Sequence, residues 1–201
     1  MIDAGLQKLL ARPLDAVGRA LAASGVSANG VTLAGLGVAV VLVFVIATQQ
    51  YALGLSLLAL NRLLDGVDGA IARATQRTDL GGYLDSVADY VFYAGVPLGL
   101  ALANPQENAL PAAALLASFL LTGVSFLAFA ALAARRGLQP EASRPKAFFY
   151  SVGLMEGAET IAFFVAMLLW PAHFAVLAWV FAGLCVLTAI QRSLIAVKAF
   201  R

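Results

Sequence analysis

The chain has 201 residues, 62% of them hydrophobic and only 12% charged, with 13 Lys and Arg against 11 Asp and Glu. A mean hydropathy of +0.89 excludes an ordinary soluble domain. The long apolar runs do not alternate with polar residues, which excludes a membrane β-barrel, and the small net charge of +2 gives no reason to expect a nucleic-acid partner.

The first segment, residues 1–26, reads as an amphipathic helix. Ile2, Leu6, Leu9, Leu10, Leu14, Val17 and Leu21 recur at helical spacing, with Lys8, Arg12 and Arg19 interspersed. No uninterrupted apolar stretch precedes residue 31, so it does not read as a signal peptide. It is expected to lie on the inner leaflet. "SGVSANGVT" breaks it, and Ser27 or Asn29 can cap the first span. Six apolar runs come next, at about 31–48, 52–74, 81–103, 109–134, 148–170 and 173–197. Each is close to the length a helix needs to cross a ~30 Å hydrocarbon core. The expected fold is an all-α integral membrane protein. Six transmembrane helices over 31–197 come after an N-terminal amphipathic helix, and residues 1–201 make a single domain.

Every Lys and Arg falls on one side of this map, and the connections "TQQY", "NPQEN" and "WPAHF" contain none. The positive-inside rule places both termini and the 73–81 loop in the cytoplasm. Cys185 is the lone cysteine and reads as a packed thiol. His173, beside Trp170 and Pro171, reads as interfacial.

"DGVDGAIARATQRTDLGGYLDSVAD", residues 65–89, does not fit this apolar background. Charged side chains at mid-membrane cost about 2.5–3.5 kcal/mol each on insertion scales. Asp65 and Asp68 are three apart and share a helix face, which Gly69 and Ala72 continue. Asp85 and Asp89 are four apart, with Gly81 one turn before them. A short turn makes the two spans antiparallel, so the acidic faces can meet near the inner surface. Four converging carboxylates need cations to offset their repulsion. Hard oxygen donors without Cys or His favour Mg²⁺, Mn²⁺ or Ca²⁺. Gly69, Ala72 and Gly81 leave room for a bulky ligand, and Arg73 suits a phosphate. These are the parts of a metal-assisted displacement at phosphorus. Pairing with Arg62 or Arg73 would account for a single aspartate, but not for four on two facing stripes. Asp79, beside Arg77, reads as a solvated or capping residue.

The pattern Asp65-x2-Asp68-Gly69-x2-Ala72-Arg73-x7-Gly81-x3-Asp85-x3-Asp89 resembles the signature of the CDP-alcohol phosphotransferase family. "GVSANGVTLAGL" resembles the family's entry into its first span, with Ala28 where proline is frequent. The resemblance implies a polytopic enzyme of phospholipid biosynthesis in a bacterial inner membrane. It would transfer a substituted phosphate from a CDP-alcohol, such as CDP-diacylglycerol, to an acceptor alcohol and release CMP. Asp65, Asp68 and Asp85 would hold two divalent ions, Mg²⁺ or Mn²⁺, with Asp89 as a further ligand and the base. Gly69, Ala72 and Gly81 would line the CDP site with Arg73, and Asn29 and Thr32 would join them. A homodimer is implied as well. A cation transporter and a metal-dependent prenyltransferase are the alternatives. The first does not need the Gly–Ala–Arg spacing, and the second usually separates its acidic motifs.

The acceptor is not legible. Arg135, Arg136, Arg144 and Lys146 serve either topology or an acceptor phosphate. Glu156 and Glu159, expected on one face of the fifth span, either pair with a cation or contact the acceptor.

Overall fold

The computed structural model describes residues 2–137 and 154–200. Among these the regular structure is entirely helical: α1 (Ile2–Ala23), α2 (Ala28–Ala47), α3 (Tyr51–Ala74), α4 (Asp79–Ala103), α5 (Pro105–Arg135), α6 (Gly157–Leu169) and α7 (Phe174–Phe200). A 3₁₀ turn, Pro171–His173, precedes α7. Among the described residues four stretches are long and apolar enough to cross a membrane: Ala28–Ala47, Asp79–Ala103, Pro105–Arg135 and Pro171–Phe200. α3 has the length, at 24 residues, but carries Arg62, Asp65, Asp68 and Arg73. On α2, Leu33, Val40, Val41 and Phe44 are all exposed, with Phe44 at 66%. Such an apolar surface belongs in lipid.

The described residues form two compact units. The first comprises Met1–Gln106 with Leu168–Pro171, and the second Glu107–Met167 with Ala172–Arg201. In the first unit α2 packs against both α3 and α4, and α1 packs against α3. Small residues permit these approaches, as is common between membrane helices. A Cβ on Gly99 of α4 would sit 2.9 Å from Ile46 Cβ and 3.0 Å from the Val43 carbonyl oxygen of α2. A Cβ on Gly18 of α1 would meet the Ala70 carbonyl carbon of α3 at 2.7 Å.

The helix ends follow local chemistry. α1 gives way at Gly25, whose φ of +84° favours glycine. Ser27 caps α2, its hydroxyl accepting from the Gly30 N–H at 3.1 Å. Thr78 does the same for α4, accepting from the Gly81 N–H at 3.0 Å. Asp79 therefore lies in the first turn of α4, where a carboxylate suits the helix dipole.

In the second unit the expected fifth span is revised. Its helix begins at Gly157, not at 148, and its 13 residues rise about 20 Å, short of a full crossing. Just before it, the Met155 N–H donates to Thr188 Oγ1 of α7 at 3.1 Å. The Glu156 carbonyl then accepts the Thr160 N–H at 3.0 Å. Glu156 thus precedes the helix and Glu159 lies in its first turn, so the two do not share a face well inside a span. The start of that expected span, with Arg144 and Lys146, lies outside the described residues. Arg136 donates to the Phe200 carbonyl at 3.0 Å, with its guanidinium 5.2 Å from the Phe200 ring centre. Cys185 is buried within α7, as a packed thiol would be.

Candidate active site

The first unit contains a cavity of about 440 Å³. The end of α2 near Ser27, the last turns of α3 and the first turns of α4 build it. Every residue singled out in the sequence for the metal and CDP sites lines it: Asn29 and Thr32 from α2, Asp65, Asp68, Gly69, Ala72 and Arg73 from α3, and Gly81, Asp85 and Asp89 from α4. Gln76, Arg77 and Thr78 from the connecting loop also contribute. The loop is short, so α3 and α4 each turn one acidic stripe toward the same space.

The four carboxylates differ in surroundings. Asp68 is only 5% exposed and accepts a 2.6 Å hydrogen bond at Oδ2 from Thr32 Oγ1. Asp85 is exposed, and Asp65 and Asp89 are half-buried. Asp89 Oδ1 accepts from Arg62 Nη1 at 3.0 Å, and Asp65 Oδ2 stands 3.6 Å from the same nitrogen. A smaller recess holds Asn61 and Arg62 together with the same four aspartates.

The small residues do two different things. A Cβ on Gly69 would meet only the flexible end of Arg73, at 3.2 Å, so its missing side chain leaves the cavity open. A Cβ on Gly81 would lie 3.1 Å from Asn29 Oδ1, so this glycine also lets α2 and α4 close together. Arg73 is turned to α1, where its Nε and Nη2 donate to Asp15 Oδ1 at 3.2 and 2.9 Å. Asp15 carried no signal in the sequence beyond its place in an amphipathic helix.

Whether these donors suit metal ions can be judged from charge and chemistry. In the smaller recess four carboxylates share one guanidinium, that of Arg62, which leaves negative charge uncompensated beside a low-dielectric interior. All are hard oxygen donors, and Cys and His are absent from the lining. That set suits Mg²⁺ or Mn²⁺ and not zinc. Among the described residues no three of them are already gathered about one point as ligands. Arg62 stands between two of them, 3.6 Å from Asp65 and 3.0 Å from Asp89.

Comparison with known proteins bears on the family and the fold. Residues 26–191 match the family model for CDP-alcohol phosphatidyltransferase. The chain is 44% identical over 192 residues to inner membrane protein YnjF of Escherichia coli, spanning 96% of this chain and 93% of that protein. It is 35% identical over 92 residues to archaetidylinositol phosphate synthase of Pyrococcus horikoshii, spanning 45% of this chain and 49% of that one. In fold it is similar to phosphatidylinositol phosphate synthase (PgsA1) of Mycobacterium tuberculosis in complex with manganese and citrate. The TM-score is 0.69 at 20% identity, covering 91% of this chain and 88% of that one. The structure of the same synthase with CDP-DAG bound gives a TM-score of 0.64 at 20% identity, covering 92% and 94%. The chain therefore belongs to the CDP-alcohol phosphatidyltransferase family and is a helical membrane enzyme, a CDP-alcohol phosphotransferase of phospholipid biosynthesis.

Proposed function

We propose that the protein transfers a phosphatidyl group from CDP-diacylglycerol to an acceptor alcohol and releases CMP. The observation that carries this reading is one cavity lined by the whole acidic signature, with Gly69 leaving it open. The donor in the CDP-DAG complex of the mycobacterial synthase supports the choice of donor. The manganese in its other complex supports a divalent metal.

Asp65, Asp68 and Asp85 would hold two ions, Mg²⁺ or Mn²⁺, with Asp89 at their edge. When bound, such ions neutralise the pyrophosphate oxygens and the CMP leaving group. The chain's own residues do the rest. Thr32 fixes the Asp68 carboxylate. Gly69, Ala72 and Gly81 make room for the CDP moiety, and Arg73 faces its phosphates from the mouth. Asp89 takes the proton of the acceptor hydroxyl. The acceptor oxygen bonds to the phosphorus that carries the diacylglycerol. The bond from that phosphorus to the bridging oxygen breaks, and CMP departs with the oxygen. Both lipid tails stay in the bilayer throughout, which is the advantage of placing this chemistry at the inner end of membrane helices.

The same reading makes residues 1–201 one domain of six membrane helices, α2 to α7, of which α6 supplies only part of the fifth crossing, with α1 an amphipathic helix at the inner leaflet and both termini cytoplasmic. The one-sided Lys and Arg distribution supports that orientation. It places the protein in the inner membrane, as the name of the Escherichia coli relative says of that protein, and as a homodimer. The test is to incubate purified protein with CDP-diacylglycerol, Mn²⁺ and a panel of acceptors, among them glycerol phosphate and inositol phosphate. CMP release and lipid mass spectrometry are the readouts. A new phospholipid with stoichiometric CMP is expected. Release of CMP with none of the acceptors, or activity only with donors that lack cytidine, would refute the reading.

A further inference from the structure

Arg62 lies outside the signature, yet it is the one cation among the residues lining the acidic recess. Three helices fix its guanidinium. Nε and Nη2 both donate to Asn61 Oδ1, at 3.0 and 2.6 Å. Asn61 is itself buried, and its Nδ2 donates to the Gly35 carbonyl of α2 at 2.8 Å. The guanidinium carbon stands 4.0 Å from the centre of the Phe92 ring on α4, an attractive arrangement for a delocalised cation. What remains of the fork, Nη1, reaches across to Asp89 Oδ1 at 3.0 Å. A lysine could not hold Asn61 and Asp89 at once in this way.

We propose that Arg62 is the positioning residue of Asp89. It fixes one carboxylate oxygen so that the other is presented to the acceptor hydroxyl, and it sets this aspartate apart from the other three. The strap from Gly35 through Asn61 and Arg62 to Asp89 makes that orientation a property of the folded protein before any ligand binds. It also explains a division of labour among four carboxylates of one chemical type. Asp89 already has a charged partner at hydrogen-bonding distance. Asp65 has the same nitrogen only at 3.6 Å, Asp68 has a neutral hydroxyl, and Asp85 is exposed. The last three are the ones left to attract cations.

The inference rests on the assignment of Asp89 as the base. The two fail differently: a wrong base leaves Asp89→Asn active, whereas a wrong positioning role leaves Asp89→Asn inactive and Arg62→Gln active. The experiment compares Arg62→Gln, Asp89→Asn and the unaltered protein in CMP release and in calorimetric titration with Mn²⁺ alone. Arg62→Gln should lower kcat about 10²-fold, the scale of a misplaced reacting group, with donor KM within about twofold. Its Mn²⁺ affinity should stay the same or rise by about threefold or more, because a positive charge no longer repels the incoming ion. A merely structural arginine would instead raise donor KM and weaken Mn²⁺ binding together, and that result overturns the proposal. So does turnover at or above the unaltered level, which would make the Arg62–Asp89 contact a lock to be opened. If Arg62→Gln does not yield folded protein, Arg62→Lys carries the test. It keeps the charge and loses the fork, and should lose about tenfold in kcat at unchanged donor KM. Unaltered turnover in Arg62→Lys overturns the proposal equally.

Discussion

Thr32→Val tests how the buried part of the acidic site is held. The Thr32 hydroxyl has one hydrogen to give. Two acceptors are within reach, Asp68 Oδ2 at 2.6 Å and the Ala28 carbonyl at 3.1 Å. The shorter, charge-assisted bond takes it. Both partners are nearly closed to water, Thr32 at 7% and Asp68 at 5% exposure. Valine keeps the branched shape and removes only the donor. A hydrogen bond to a charged group contributes about 1.5–3 kcal/mol, and the carboxylate left behind in a dry site loses this hydroxyl. The variant should therefore be less stable by about 1.5–3 kcal/mol when metal is chelated. Saturating Mn²⁺ should narrow the gap, since an ion bound only to the native state stabilises it by mass action and faces the carboxylate in place of the hydroxyl. Equilibrium denaturation in detergent, with chelator and then with Mn²⁺, measures both quantities. Thr32→Ser keeps the hydroxyl and is the control. A loss below about 0.5 kcal/mol, the range of ordinary neutral substitutions, or an equal loss in Thr32→Ser, would refute the assignment of this bond as the support of Asp68.

Three further outcomes are expected. Asp89→Asn should keep most CDP-diacylglycerol affinity in Mn²⁺ and lose about 10²–10⁴-fold in turnover, the usual contribution of a general base. Calorimetry beside the CMP-release assay decides it, and lost donor binding would move Asp89 among the metal ligands. Gly69→Leu should remain folded and lose CDP-alcohol binding, because its new side chain meets only the end of Arg73 before entering the cavity. A donor affinity equal to that of the unaltered protein would take Gly69 out of the site. Gly18→Leu should destabilise the protein by about 1–3 kcal/mol through overpacking against the Ala70 backbone, while Gly37→Leu, with nothing within 4 Å of its Cβ, should be close to neutral. Thermal melts of the two variants side by side make the comparison.

The parts of this structure that sequence reveals are those that arise from periodicity or from an expense. The apolar runs announce α2, α4, α5 and α7 because lipid demands length and hydrophobicity. The aspartates announce the cavity because carboxylates near a membrane interior need a reason to be there. The start of α2 is legible in Ser27, whose hydroxyl can serve the exposed N–H groups, whereas the cap of α4 proves to be Thr78 and not the neighbouring Asp79. Other features are set by partners far away in the chain, which spacing does not encode. The start of α6 is one, where Thr188 of α7 takes the Met155 N–H. The docking of α1 is another. Gly18 and Asp15 look like unremarkable residues of an amphipathic helix until Ala70 and Arg73 are seen against them. Arg62 was visible only as a possible salt-bridge partner, since its importance depends on Asn61 and Phe92 occupying the rest of its guanidinium.

α3 joins these elements along one line. Arg62, Asp65, Gly69 and Arg73 are spaced three, four and four residues apart, so they fall on one stripe. The two arginines end that stripe about 16 Å apart along the helix. Each is held by an acid on a different helix, Arg62 by Asp89 of α4 and Arg73 by Asp15 of α1. Their exposure differs accordingly. The Arg62 side chain is 20% exposed and that of Arg73 is 43% exposed. On the proposed reading this is an order of events laid out in space. A nucleotide phosphate arriving from water meets the exposed Arg73 first, where it must displace a carboxylate on a surface helix. The pyrophosphate then lies over Gly69, the position without a side chain. Asp65, Asp68 and Asp85 come next, and the proton acceptor lies beyond them, tethered to the less exposed arginine. A stripe of the reverse order would put the tethered carboxylate at the mouth, where water competes for its free oxygen. Placing the shielded arginine beside Asp89 reserves that oxygen for an acceptor hydroxyl.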